Sequence, residues 1–134
     1  MDNEELIALS NYRLDQAKEN LEEAEVLFDN GKYKGASNRA YYSIFHAVKA
    51  VLALEQTDFK KHSSVIAYFN KEYISKNIFP REFGKRVSDA RFYREKSDYV
   101  DFYIITKDEC QIQIETAKMA INLIDKYIEE KYKN

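Results

Sequence analysis

Cysteine, proline and glycine are scarce in this chain, and each scarcity removes a class of structure. The single Cys110 cannot form an internal disulfide, and no Cys/His cluster has the spacing of a zinc site. A covalently stapled fold is excluded, and a reducing cytoplasm is the expected location. One proline and three glycines leave too few turn residues for a sheet built on hairpins. Gly31, Gly35 and Gly84 are isolated, so there is no phosphate-cradling glycine loop of the kind that binds ATP. No segment approaches the roughly 20 apolar residues of a membrane span, and the opening MDNEELIALS has neither a basic leader nor an apolar run. A soluble, cytoplasmic chain without membrane association is expected.

What the sequence does contain is charge and helical periodicity. Its 134 residues suit one domain, 1–134, that can bury roughly two thirds of its unfolded surface. From Glu4 to Asn30, Leu14, Ala17, Leu21, Ala24 and Phe28 recur at steps of three and four, and Asn30-Gly31 stops this first amphipathic helix. Residues 1–30 carry nine acids against two bases, a net of −7 that repels nucleic acid. The central helix spans Ser37 to Leu54. Tyr41, Ile44, Phe45, Val48, Val51 and Leu52 fall within one arc of roughly 120° at about 100° per residue, which defines its core face. The opposite arc holds Arg39, Tyr42, Ser43, His46 and Lys49, with Ala50 and Ala53 between them. A solvated helix face usually carries Glu and Lys at i,i+4; this one has the composition of a dimer or partner face.

The polar break Gln56-Thr57-Asp58-Phe59 predicts a turn, and Val65, Ile66, Phe69 and Tyr73 predict a short third helix over Lys61 to Ser75. Pro80 suits the first turn of a fourth helix, where its missing N–H costs nothing. Six bases against three acids over Arg81 to Lys96 give that helix a net of +3. An aromatic link follows, Ser97 to Tyr103, and then Thr106-Lys-Asp-Glu109 forms a capping box. Cys110, Ile114, Ala117, Ile121, Ile124 and Ile128 alternate steps of four and three, the seam of an antiparallel bundle helix on which Cys110 is a small buried residue. The predicted fold is all-α: an up-and-down four-helix bundle with an additional short helix across one end, about five helices in all.

Several chemistries lack their residues. A di-metal carboxylate bundle needs Glu-x-x-His pairs, but Ser43 precedes His46 by three and Phe59 precedes His62. Ser43 and His46 lie on adjacent helical turns without a third residue to orient the imidazole. No metal or cofactor is expected. Arg94 continues the buried stripe of Phe83, Val87 and Ala90, so its guanidinium points inward and requires a partner. Two readings stand. In one, Asp98 or Asp101 pairs with Arg94 and fixes the helix end to the link. In the other, Arg91 and Arg94 grip a phosphate of RNA or a nucleotide while Tyr99 or Tyr103 stacks on a base.

Asn38-Arg-Ala-Tyr-Tyr-Ser-Ile-Phe-His-Ala47, Lys61-His-Ser63 and Arg94-x-x-x-Asp-Tyr-x-Asp-Phe102 together resemble the HEPN family, whose pattern the chain follows from about Leu14 to Tyr127. The resemblance implies an all-α homodimer, often paired with a nucleotidyltransferase partner in toxin–antitoxin-like systems. Many members are metal-independent endoribonucleases that use Arg, four to six residues, then His, in a site composed across the dimer. This chain departs at the histidine: a four-residue spacer from Arg94 reaches Tyr99, and a six-residue spacer from Arg91 reaches Asp98. An ordinary tyrosine exchanges protons poorly near neutral pH. The catalytic candidates are therefore Arg94, Tyr99 and Asp98, with His46 or His62 as substitutes if either lies near Arg94. A dimeric module that binds RNA or nucleotide is the first expectation, a ribonuclease with a degenerate site the second, and a purely structural dimer the third.

Overall fold

The computed structural model describes residues 1–132. Its helices are α1 (Asn3–Asp29), α2 (Tyr33–Leu54), α3 (His62–Phe69), α4 (Arg81–Tyr99) and α5 (Lys107–Tyr132), and among the described residues there is no strand. The expected all-α bundle is what forms. α1, α2, α4 and α5 build it, with α2 touching every other helix and α3 packed on its side. None of the helices is long and apolar enough to cross a membrane.

Local chemistry sets the ends. The Asp2 side chain accepts a hydrogen bond from the Glu5 N–H at 2.9 Å and caps α1. Gly31 turns the chain at φ +74°, where a side chain would be strained. The predicted capping box closes α5: the Glu109 N–H donates to Thr106 Oγ1 at 3.1 Å, and the Thr106 N–H donates to Glu109 Oε1 at 3.0 Å.

Four boundaries differ from the sequence reading. α2 begins at Tyr33, one turn before Ser37. The third helix ends as an α-helix at Phe69 and continues as a π-helical turn over Asn70–Ile74. Pro80 stands just outside α4, its carbonyl accepting the Phe83 and Gly84 N–H groups. α4 runs on to Tyr99, so Ser97, Asp98 and Tyr99 belong to the helix and not to the link. Pairs at i,i+4, Arg91 with Glu95 and Arg94 with Asp98, support this extra turn.

The core arc of α2 is as predicted, but burial reaches far around the helix. Ala36, Ala40, Ser43, Ala47 and Ala50 are all buried and step by four and three, a seam of small side chains. Two hydroxyls tie this seam to α1: Ser43 Oγ donates to the Ala17 carbonyl at 2.6 Å, and Ser10 Oγ donates to the Ala50 carbonyl at 2.7 Å. The arc opposite the core is therefore not one open face, and Ser43 in particular is sealed under α1. Between Ala36 and Leu54 only Asn38, Arg39, Tyr42, His46 and Lys49 escape burial.

A second cluster of rings holds the π-helical turn against the bundle. Phe69 lies edge-on to Phe83 of α4 at 5.8 Å, and Phe79 meets Tyr127 of α5 at 5.2 Å. The approach is close at Gly84, where a Cβ would sit 2.8 Å from Ile74 Cγ2 and 2.9 Å from Ile74 Cγ1. Cys110 is buried, and burial pushes its thiol up to about 11, as fits a packing residue.

Phe45 is buried at 6 % exposure and stacks on His62. Phe45→Ala should cost about 3–5 kcal/mol. Lys49→Ala removes a partly exposed ion pair with Asp58 and a distant cation–π contact with Phe45, and should cost about 1 kcal/mol. Urea denaturation of both variants checks this, and equal losses would contradict the burial pattern of α2.

Candidate functional site

Arg94 reaches back from α4 onto α2. Its guanidinium carbon lies 5.0 Å from the centre of the Tyr41 ring and 5.3 Å from that of Tyr42, and Nη2 donates to the Tyr42 hydroxyl at 3.0 Å. The carboxylate beside it is Asp98, with Oδ2 at 3.5 Å from Nε; Asp101 is not the partner. Nε is shielded from water yet makes no hydrogen bond. Arg91, one turn earlier, holds Glu95 at 2.9 Å.

His62 stands at the start of α3 and is brought into the same cluster. Its Nδ1 shares a hydrogen bond with the Tyr41 hydroxyl at 3.0 Å, its ring stacks on Phe45 with centres 4.0 Å apart, and it meets Tyr42 edge-on at 6.0 Å. His46 also lies beside Tyr42, with ring centres 6.2 Å apart. Burial pushes the Tyr41 phenol up to about 12 against the pull of Arg94 and Arg91, so it keeps its proton at neutral pH. Both imidazoles are held below the usual histidine value, first by burial. Arg94, Lys49 and Arg91 add to this at His62, and Lys49, Arg13 and His62 add to it at His46.

The two tyrosines expected to stack on bases are placed differently from each other. Tyr99 is 77 % exposed at the end of α4. Tyr103 is partly buried: its hydroxyl donates to Glu109 Oε2 at 2.9 Å, and the Lys96 ammonium lies 5.3 Å from its ring centre. Burial, and then the Glu109 carboxylate, push this phenol up to about 12, so Tyr103 fastens the link to α5. Beside Arg94 a cleft of about 330 Å³ opens between α2 and α4, lined by Lys34, Asn38, Arg39, Arg94, Ser97 and Asp98. Among the described residues no group of His, Cys, Asp and Glu has the arrangement of a metal site.

Of the residues singled out from sequence, Arg94, Tyr42 and Asp98 come together, and His46 lies beside Tyr42. Arg39 lines the same cleft, and Lys49 sits further along α2, paired with Asp58 at 3.3 Å. Ser43 is withdrawn into the α1–α2 seam. Sequence reasoning placed Tyr41 in the core, and it is buried, yet its hydroxyl and ring touch His62 and Arg94. It also left the position of His62 open, because no periodicity relates the start of α3 to the end of α4.

These elements define a class: a helical bundle with a half-buried arginine from the fourth helix laid over a Tyr-Tyr pair of the second, flanked by two neutral imidazoles. Residues 10–127 match the model of the HEPN domain, and this chain belongs to the HEPN family. It is similar to two proteins of Methanocaldococcus jannaschii, "Putative toxin MJ0142", 33% identical over 86% of this chain and 78% of that protein, and "Putative toxin MJ0605", 34% identical over 85% and 84%. It is also similar to a UPF0332 protein of Thermotoga maritima, 31% identical over 86% of this chain and 87% of that one.

The depressed imidazoles give stability a pH dependence of defined sign. The unfolded chain takes up protons near the usual value of 6.5, whereas the folded protein does so only lower. Their contribution is complete above about pH 7 and is lost as pH falls through 6.5 towards the folded values. The thermal midpoint should therefore drop between pH 7.5 and pH 5.5, and His62→Gln should shrink the drop. A midpoint insensitive to pH in that window would contradict the burial of both rings.

Proposed function

We propose that this chain is a HEPN-type, toxin-like interaction module that binds RNA or a nucleotide at Arg94, acts as a homodimer and works with a nucleotidyltransferase partner. One observation carries the binding reading: the Arg94 guanidinium is laid over Tyr41 and Tyr42 and opens into a cleft that also holds Lys34 and Arg39. Arginine has five N–H donors in a planar fork. Tyr42 takes one and Asp98 faces another, which leaves donors for phosphate oxygens. Arg91 adds positive charge one turn away.

The homodimer is supported by the apolar surface where α4 gives way to the link. Phe102 is 100% exposed at φ +62°, and Ile104 is 82% exposed beside it. The toxin-like role is supported by the names that the M. jannaschii relatives carry, and the nucleotidyltransferase partner by the family resemblance.

A specific observation favours ribonuclease activity as the second reading. His62 and Arg94 share the Tyr41 and Tyr42 rings, and an imidazole held neutral at pH 7 can accept the proton of a 2′-hydroxyl. Here His62 takes the role that the family motif gives to the position of Tyr99.

Incubation of the protein with structured and unstructured RNA in chelator tests both readings. Arg94→Ala should weaken RNA or nucleotide binding at least tenfold and make its salt dependence shallower by about 0.7 in slope for each phosphate that is no longer neutralised. The same change should cost only about 1–2 kcal/mol of stability, because the pair with Asp98 is partly exposed. Cleavage lost in His62→Gln but kept in Tyr99→Phe, with binding intact in both, would establish the second reading; loss in Tyr99→Phe would assign the proton transfer to Tyr99. Absence of binding by the intact protein leaves only the structural dimer. Light scattering at tens of micromolar should report a dimer that Phe102→Asp with Ile104→Asp converts to a monomer.

A further inference from the structure

α2 carries Lys34, Arg39 and Lys49 and no carboxylate in its 22 residues, within a chain of net charge −2. Because the seam and the core arc bury most of this helix, its polar residues beyond Asn38 surface along one line. Arg39, Tyr42, His46 and Lys49 follow one another at steps of three, four and three. The Arg94 cleft lies at one end of that line. At the other end, Arg13 of α1 donates from Nη1 to the Lys49 carbonyl at 3.1 Å, and the Arg13 and Lys49 side chains both face Asp58, at 3.5 Å and 3.3 Å. Asp58 comes from the turn after α2, its side chain half exposed, and it is the carboxylate that these two cations share.

The line thus sets two partly exposed rings, Tyr42 and His46, between cations, Arg94 and Arg39 at one end and Lys49 with Arg13 at the other. Single-stranded nucleic acids are held by such combinations, phosphates on cations and bases against rings. From Arg39 to Lys49 the helix rises about 15 Å, a span that one nucleotide cannot bridge and a short single strand can. We infer that a short single-stranded RNA segment lies along the partly exposed line of α2, one phosphate on Arg94 and another on Lys49 and Arg13 in place of the Asp58 carboxylate. The inference rests on the Arg94 binding reading and adds to it a direction, away from Tyr99 and Tyr103, and a substrate class, a polynucleotide in preference to a mononucleotide.

Fluorescence anisotropy with labelled uridylates of one, four and eight nucleotides tests it. The tetranucleotide should bind at least tenfold tighter than the mononucleotide, and eight nucleotides should add less than threefold more. Lys49→Gln should remove most of the tenfold gain and leave mononucleotide affinity unchanged, while Asp58→Asn, which frees both cations, should tighten tetranucleotide binding. Thermal melts establish that each variant is folded, and Arg39→Gln, at the half-exposed opposite end of the line, should also lose part of the gain. Tetranucleotide binding unaffected by Lys49→Gln and Arg39→Gln, yet lost in Arg94→Ala, would overturn the path along α2 while the Arg94 site survives. Failure of the intact protein to bind any uridylate would overturn the Arg94 reading and this inference with it.

Discussion

The seam of small residues on α2 is the constraint on which the rest of this bundle depends. Ala36, Ala40, Ser43, Ala47 and Ala50 offer almost no side-chain bulk, so α1 can lie against the backbone of α2, and two serine hydroxyls satisfy carbonyls across the interface. A hydroxyl with no access to water must find an acceptor, and each of these finds a carbonyl within 2.7 Å. Because α1 fits so closely, α2 is enclosed on most of its circumference. What remains open beyond Asn38 is a narrow strip that Arg39, Tyr42, His46 and Lys49 share.

Electrostatics follows the same division. The acids of the first helix lie on its solvent side, Glu19, Glu22 and Glu23 among them, and only Glu23 turns towards α2, to Arg39 at 3.9 Å. Arg94, Arg91 and Lys49 instead act on the cluster of Tyr41, Tyr42 and His62. This concentrates positive potential around Tyr42 while net charge stays slightly negative. Burial of the two imidazoles in that field keeps them neutral, so the region is cationic through arginine and lysine and keeps two bases in reserve.

Much of this was legible in the sequence. Periodicity gave the helices and the core arc of α2, because 3.6-residue spacing of Ile44, Val48 and Val51 admits little else. The capping box of α5 was readable because both reciprocal hydrogen bonds are local. Arg94 stood out as a cation on an apolar stripe, and its partner at i+4 was one of two named. What escaped the sequence is what depends on long-range packing. Ser43 looked like a surface residue because its helix angle is polar, and only α1 lying over it reveals otherwise. His62 is 32 residues from Arg94, and their common approach to Tyr41 and Tyr42 arises from how α3 folds back over α2. The π-helical turn at Asn70–Ile74 likewise has no local breaker to announce it.

The close approach at Gly84 has a mechanical meaning. Gly84 lies ten residues before Arg94, about 15 Å along a single unbroken helix. A helix transmits displacement as a stiff rod, and Ile74 would meet any side chain at Gly84 near the fulcrum. Whatever part of the clash Ile74 did not absorb would be carried along α4 to Arg94, so the absence of a side chain at Gly84 is part of what seats Arg94 on Tyr41 and Tyr42.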